Sequence, residues 1–481
     1  MHQRYVIVAI TAVAALWMYI DRVCFSTLAE PMKVELLLPL APEPAGAKPL
    51  SDDEVAAAKR KKWPDGPPDG ATLSDEDVTA AQKKRWADKR MSLALGAFFL
   101  TYALFQIPMG NLADRYGARK VLALSIAAWS AVTMATGFVG GFVALLGIRL
   151  LLGITEAGAY PAAAGLVKRW AEPHERGRFS SVVAFGGRVG GALAPWLTAA
   201  LAAGLVGVAL VEWVITPAAV PPDAGEPAAN WRGVFVVYGL CGLGVALLFW
   251  LFVRDHPPGA PPVALAPGAA DRLSLYRRIR LLGRTRNMWL FGGVQFGVNI
   301  GWAFVITLLP TYLKETFGTP LKEAGRMQTA ALTIGCLGMV FGGVFTDALR
   351  ARLGPKYGRS VPIAVALSGC VVVFLLIPQL PTAWAVVVAL GVMAFLVDMH
   401  NPSIWSFAQD VGGKNVGAAL GWGNMWGNIG AAVSSYLLTE IRHEASWNTA
   451  FLCLAGAFAA ATVCALLLDA TKPVDATPPE A

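Results

Sequence analysis

Apolar runs of nearly constant length recur along the whole 481-residue chain. Because lipid offers no hydrogen-bond partner to the backbone, each run of about 20 apolar residues is expected to cross a bilayer as an α-helix. A first series of six runs covers residues 5–31, 91–113, 119–139, 141–167, 179–206 and 232–253. A second series of six covers residues 287–312, 325–348, 361–379, 383–408, 415–438 and 447–468. The pattern predicts an all-α polytopic membrane protein with twelve transmembrane helices in two bundles of six.

The polar segments between the runs predict the domain organisation. The proline-rich stretch 254–286 separates the two series and is expected to be a central linker. It divides the chain into an N-terminal bundle, 1–253, and a C-terminal bundle, 287–470, followed by a tail, 471–481.

Lysine and arginine are distributed unevenly over the connecting segments. If the N-terminus is cytoplasmic and residues 33–90 are set aside, the cytoplasmic segments hold 21 basic residues and the opposite side holds five. Short cytoplasmic loops are enriched in basic residues in membrane proteins. Both termini are therefore expected in the cytoplasm, with the central linker on the same side.

The first loop, residues 33–90, is an extracytoplasmic insert with eleven basic and eleven acidic residues. It contains a repeat, because "LSDDEVAAAKRKKW" at 50–63 returns as "LSDEDVTAAQKKRW" at 73–86. Each copy starts with serine before acidic residues and ends in basic residues, as a capped helix does. We expect two short solvated helices, and a partner-binding module is the alternative.

Composition narrows the function class. The chain is 56% hydrophobic and only 15% charged, against about 25% charged in soluble domains. The net charge of +8 lies mainly in short loops without a recognition motif, so no nucleic-acid partner is expected. The six cysteines are scattered, and the chain lacks HExxH, GxSxG and P-loop motifs. We expect no enzyme activity, no metal site and no cofactor.

The two halves also repeat a loop signature. "GNLADRYGARK" at 110–120 follows the second span, and "GGVFTDALRARLG" at 342–354 follows the eighth. The first copy resembles the loop signature of the major facilitator superfamily, in which two related helix bundles enclose a central site. The segments "YIDR" (19–22), "RLLLGITEAGAYP" (149–161) and "LPTYL" (309–313), together with "FVRDHP", narrow the resemblance to its anion:cation symporter branch. That branch carries sugar acids and other organic anions.

Charged residues inside the spans mark the candidate site, since a charge in a bilayer costs at least about 2.5 kcal/mol. Arg149 and Glu156 are seven residues apart and share one helix face, whereas the neighbours Asp21 and Arg22 point in different directions. Arginine suits a carboxylate ligand, and a buried carboxyl group suits proton exchange. The resemblance implies that Asp21 and Glu156 couple protons and that Arg22 and Arg149 attract the anion or pair with acids. A purely structural ion-pair network is the alternative.

Other polar residues in the spans extend this site. The resemblance implies that Tyr102, Asn424 and Asn428 contact substrate, with core packing or helix-to-helix hydrogen bonding as alternatives. Arg188 is an additional cation, available for a second carboxylate. Asp398 and His400 add titratable groups to the tenth span, and Asp398 could pair with Arg188. Their roles leave substrate and coupling stoichiometry open.

The loop signature itself supplies candidate gating residues, namely Asp114, Arg115, Gly117 and Arg119. An acid at a helix end can hold positive groups in one conformation and release them in the other. Glu175 and Arg176 in the next loop are plausible companions, and a purely topogenic role is the alternative for the basic members.

The sequence thus predicts a secondary active transporter, a proton-coupled symporter of an organic anion that works by alternating access. A monomer in the bilayer of the inner (cytoplasmic) membrane is expected, with the anion and protons as its partners. The alternatives are an exporter or facilitator of a related solute, or a non-transporting membrane sensor that uses the insert 33–90.

Overall fold

The computed structural model describes residues 2–41, 73–204, 230–257, 275–319, 321–444 and 446–474, and all regular structure in them is helical. The helices of the first half are α1 His2–Thr27, α2 Ala29–Leu36, α3 Asp75–Tyr116, α4 Ala118–Thr136, α5 Phe142–Glu156, α6 Ala159–Trp170, α7 Arg176–Gly204 and α8 Trp231–Phe252. Those that follow are α9 Leu275–Arg284, α10 Arg286–Ala303, α11 Leu309–Phe317, α12 Leu321–Leu376, α13 Ala383–Val411, α14 Val416–Glu444 and α15 Trp447–Leu466.

The helices account for the twelve predicted crossings. Nine helical segments in the described residues have the length and hydropathy to span a membrane. The longest of these, Arg326–Gln379, contains two crossings, because the chain turns at Gly354, where φ is +75°. Helices α7 and α14, with 29 residues each, supply the fifth and eleventh crossings.

The second span starts much earlier than its apolar run. Helix α3 begins at Asp75, and Ser74 caps it with a reciprocal pair of hydrogen bonds to Asp77. The second copy of the repeat is therefore helical, but it continues directly into the span and is not a separate short helix. Ala87 is buried in the core of the first half, so the end of this copy is packed. The first copy lies outside the described residues.

The fourth span is interrupted between α5 and α6, where the sequence predicts one continuous run. Pro161 lies in the first turn of α6. In a continuous helix its ring would clash with the carbonyl of Ala157, so the break falls where proline requires it. The break lies directly after Glu156.

Glycines allow the helices of the two halves to touch at their backbones. Gly110 of α3 and Gly417 of α14 meet so closely that a Cβ on Gly417 would lie 2.6 Å from the Gly110 carbonyl oxygen. Gly421 packs in the same way on the carbonyl of Gln106, at 2.5 Å. The small residues bring α3 of the first half directly against α14 of the second.

Candidate transport site

The charges of the first and fourth spans meet inside the first half. Arg22 Nη2 donates to Glu156 Oε2 at 2.7 Å, and its Nε donates to the same oxygen at 3.1 Å. Glu156 is fully buried, whereas the Arg22 side chain keeps 15% of its surface exposed. The exposed part of this arginine is the part that an anion can reach.

Asp21 is buried beside this pair and turned away from it. It is 1% exposed, and neither carboxylate oxygen has a hydrogen-bond partner among the described residues. The Trp129 indole is the side-chain donor beside it, and no cation in the described part of the chain is paired with it. A buried carboxylate without a cationic partner is unstable as an anion, which is the condition for taking up a proton.

Arg149 lies on the same helix face as Glu156, but Glu156 pairs with Arg22. The Arg149 guanidinium lies 4.0 Å from the ring centre of Phe25 and 4.8 Å from that of Phe98, and it is 2% exposed. Its Nη1 has no hydrogen-bond partner in the described part of the chain. Arg149 therefore lies inside the first bundle, stacked on aromatic rings.

A second ion pair joins the two halves. Arg188 on α7 donates from Nη2 to Asp398 Oδ1 on α13 at 2.5 Å, so the pairing expected from the sequence is present. The Arg188 guanidinium also lies 4.3 Å from the ring centre of Trp302 on α10. Asp398 is 1% exposed at its side chain and Arg188 is 21% exposed. His400, two residues after Asp398, is buried, and its Nδ1 contacts the Val397 carbonyl oxygen.

Aromatic rings connect the two ion pairs. The Arg22 guanidinium lies 4.5 Å from the ring centre of Tyr102 and 5.1 Å from that of Tyr19. Tyr19 and Tyr160 lie 6.3 Å apart, and Tyr160 contacts Trp405 of the second half at 5.0 Å between ring centres. Tyr102 is only 4% exposed, so its ring packs against the Arg22 guanidinium on the buried side.

The two asparagines of α14 face different partners. Asn424 Nδ2 approaches Gln106 Oε1 of α3 at 3.5 Å, at the contact between the halves. Asn428 donates to the carbonyl of Asn424 in its own helix at 2.8 Å. The structure brings Asn424 to the interface between the halves and ties Asn428 to its own helix.

The halves are joined at the ends of the spans where the predicted cytoplasmic loops emerge, which we call the basic face. Asp114 at the end of α3 accepts from the backbone N–H groups of Gly417 and Ala418, at 2.9 and 3.1 Å. Arg278 of α9 donates to the same carboxylate at 3.2 Å. Asp114 therefore caps the N-terminus of α14 in the opposite half.

The other residues of the loop signature act within the first half and the linker. Gly117 has a φ of +97° and ends α3, a conformation that glycine adopts without strain. Arg119 donates its backbone N–H to Asp255 at 3.0 Å and its Nη2 to the Trp250 carbonyl at 2.6 Å. Arg115 lies over the ring of Tyr116.

The second copy of the loop signature makes the equivalent contact from the second half to the first. The sequence alone did not indicate this contact. Asp347 at the end of the eighth span accepts from the backbone N–H groups of Gly177 and Arg178, at 3.1 and 3.0 Å. These residues begin α7, so each half caps a helix of the other. The only sequence signal was the recurrence of aspartate at corresponding positions.

Asp410 forms a further inter-half cluster that the sequence did not reveal. It pairs with Arg176 of the first half and with Arg359, whose Nε lies 2.9 Å away. Arg359 is fully buried and also donates to the Pro173 carbonyl at 2.9 Å. Glu175, the other predicted companion, pairs instead with Arg4 at 2.9 Å. No group of three or more metal-ligating side chains occurs in the described residues.

Comparison with known proteins agrees with this architecture. A family model described as Major Facilitator Superfamily matches residues 76–435. The chain is 29% identical to a probable sulfoacetate transporter of Cupriavidus necator, with 80% of this chain and 86% of that protein covered. It is 27% identical to a probable galactarate/D-glucarate transporter of Escherichia coli K12, with 79% and 85% covered. Among solved structures, the proton:xylose symporter XylE shares the fold with a TM-score of 0.64 at 13% identity, covering 96% of this chain and 94% of that one. The chain belongs to the Major Facilitator Superfamily, and it is a polytopic membrane transporter and not an enzyme.

Proposed function

We propose that this protein is a proton-coupled symporter that imports a small organic anion, a sugar acid or a related carboxylate or sulfonate, across the inner (cytoplasmic) membrane. The observation that carries the proposal is the partly exposed Arg22 held by the fully buried Glu156. The relatives named as sulfoacetate and galactarate/D-glucarate transporters support an anionic substrate.

The pair of Arg22 and Glu156 couples the anion to a proton by exchange. An incoming acid group binds the exposed part of Arg22 and competes with Glu156 for its donors. Once released, the Glu156 carboxylate is buried without a partner, and it becomes neutral by taking up a proton at a carboxylate oxygen. Asp21, buried beside the Trp129 indole and without a cationic partner among the described residues, is the second proton acceptor.

Alternating access then follows from the two bundles, 1–253 and 287–470, joined by the linker 254–286. The hydrogen bonds and ion pairs described above that join the bundles lie between mid-span and the basic face. With both termini and the tail 471–481 in the cytoplasm, this conformation is closed to the cytoplasm. It is the state that receives substrate from outside.

Uptake into proteoliposomes tests the coupling. Glu156→Gln and Asp21→Asn are each expected to abolish accumulation of sulfoacetate or D-glucarate driven by a pH gradient, while substrate exchange between the two sides continues. Glu35→Gln is the matched control, because it removes the ion pair between Glu35 and Arg232. That pair has the same 2.7 Å length and lies in another part of the first half.

The outcomes separate the alternatives. If Glu156→Gln still accumulates substrate on a pH gradient alone, Glu156 does not couple protons. Wild-type flux that ignores the pH gradient indicates a facilitator. Protein that binds these anions without flux supports a sensor.

A further inference from the structure

Arg188 is an arginine that the proposed coupling does not use. It lies on the helix α7, yet its charge is directed to the opposite half, where it meets Asp398 and Trp302. Its position resembles that of Arg22 in one respect. Each arginine is partly exposed, and each is held by a carboxylate whose side chain is at most 1% exposed.

The two arginines share a neighbour. The ring centre of Tyr19 lies 5.1 Å from the Arg22 guanidinium. The same ring packs against the turn of α7 that carries Arg188, since a Cβ on Gly187 would lie 2.9 Å from Tyr19. Tyr160, which would lie 2.7 Å from that Cβ, completes the contact and reaches Trp405 of the second half. Arg22 and Arg188 therefore border one region between the bundles.

The helix register gives the axial offset between the two arginine backbones. Helices α1 and α7 run side by side, with Gly186 on Ala12 and Gly190 on Leu16. This register puts Arg22 level with residue 196, eight residues beyond Arg188, or about 12 Å along the helix axis at 1.5 Å per residue. A charge-assisted contact occupies a few ångströms at each end. The remaining length fits two acid groups on a short carbon chain.

The charges fit the same ligand. Around mid-span, the described helices hold three cations, Arg22, Arg149 and Arg188, and three carboxylates, Asp21, Glu156 and Asp398, of which two pairs are in direct contact. When Asp21 and Glu156 each hold a proton, as the proposed coupling requires, two positive charges remain uncompensated. A dianion compensates them, whereas a monoanion leaves a net charge buried, which is costly.

We propose that the transported anion is a dianion with an acid group at each end, one bound by Arg22 and the other by Arg188, which Asp398 holds in position before substrate arrives. This inference rests on the proposed function, because it assigns the second half of the same site. It makes Arg188 the residue that distinguishes dianions from monoanions. The substrate then contacts both bundles at once, through an arginine on the first bundle that is anchored to the second.

Binding to purified protein tests the proposal with paired probes. Malonate, succinate, glutarate, sulfoacetate and D-glucarate are the dianions, and the monoamides of malonate, succinate and glutarate, with D-galactonate, are the monoanions. We expect wild type to bind at least one dianion tenfold or more tighter than its monoanion partner. Arg188→Gln should weaken the dianion by that factor and leave the monoamide unchanged, so that the preference disappears.

Two further variants keep the test independent of folding. Arg188→Gln combined with Asp398→Asn leaves no unpaired buried carboxylate, and it should lose the dianion preference as the single variant does. Arg232→Gln is the matched control, since Arg232 is likewise paired with a carboxylate, that of Glu35, and likewise stacks on a tryptophan at 4.3 Å, outside this region. It should keep the full preference.

The possible results decide separately between the two proposals. Equal binding of dianions and monoanions by wild type, or an equal loss of both in Arg188→Gln, overturns the dianion assignment and leaves organic-anion transport standing. Binding of D-galactonate without binding of any dianion likewise overturns the dianion assignment and leaves organic-anion transport standing. If wild type binds and transports no anion of the set, the proposed function itself fails.

Discussion

At the scale of single residues, Asp21 and Arg22 show how neighbours in a chain obtain unrelated surroundings. Successive helical residues are about 100° apart around the axis. Arg22 thus reaches Glu156 on the fourth span, while Asp21 is buried without a hydrogen-bond partner in the described residues. Spacing placed Arg149 and Glu156 on one helix face, and the structure stacks Arg149 on Phe25. The partner of Glu156 comes from another helix.

Exchanging the two neighbours tests these surroundings. In Asp21→Arg combined with Arg22→Asp, an acid faces Glu156 and an arginine enters a buried position without an acceptor. Breaking a buried pair in this way costs about 3–5 kcal/mol. We expect no pH-driven uptake in proteoliposomes and a lower midpoint of thermal unfolding.

The control for this exchange is Arg4→Glu with Glu175→Arg, a partly exposed pair of 2.9 Å that should tolerate reversal. Uptake near the wild-type rate in the Asp21 and Arg22 exchange would show that these charges serve only to settle the first helix.

At the scale of helices, the contact between α3 and α14 depends on the absence of side chains. A Cβ on Gly110 would collide with the backbone of Gly417 and Ala418. We expect Gly110→Ala to push the two helices apart and to open the basic face, measured as faster labelling of a cysteine introduced at Gln409. Gln409 is fully buried there and contacts Ser180 of the first half.

Gly96 offers the matched control on the same helix, because a Cβ there meets nothing within 4 Å. Gly96→Ala should label at the wild-type rate. Equal labelling in Gly110→Ala and Gly96→Ala would mean that the helices do not need their close approach to keep the face closed.

The reciprocal helix caps, formed by Asp114 on α14 and by Asp347 on α7, are a second feature at the scale of helices. Replacing a capping aspartate by alanine costs about 0.5–2 kcal/mol. Asp114→Ala and Asp347→Ala should each shift the equilibrium towards the conformation open on the basic face, by roughly 2- to 30-fold. The same introduced cysteine at Gln409 reports the shift.

Asp255→Ala is the control for the caps, since Asp255 binds Arg169 and the Arg119 backbone, both in the first half. If the double variant of Asp114 and Asp347 labels no faster than Asp255→Ala, the caps do not hold the halves together.

At the scale of the whole molecule, the insert is divided between two roles. Its last part is the packed start of α3, with Ala87 buried, whereas residues 46–70 belong to a nearly neutral polar stretch. Replacing 46–70 by a short Gly–Ser linker should leave uptake within about twofold of wild type, because long loops translocate largely regardless of charge.

Deleting 46–88 removes the cap at Ser74 and the packed turn at Ala87, and it should reduce the amount of folded protein recovered from the membrane. Loss of transport in the linker variant, with normal insertion, would instead favour the sensor or scaffold alternative for the insert.

The sequence by itself determined the spans, the two-half organisation and most of the residue types at the candidate site. Hydropathy has this power because lipid leaves the backbone only the helix. It also suggested that Asp398 could pair with Arg188, since an intramembrane charge requires a partner. The serine at 74 marked a helix start for a local reason that the sequence carries.

Only the tertiary structure decided which charges meet. Whether Arg22 reaches Glu156 depends on the rotation and depth of two helices, α1 and α5, and no local pattern encodes these. The contacts of Asp347 and Asp410 with α7 join residues more than 160 positions apart. Helical periodicity fixes the face of a residue within its own helix. The partner on that face is fixed by how the two bundles pack, and here that packing closes the basic face.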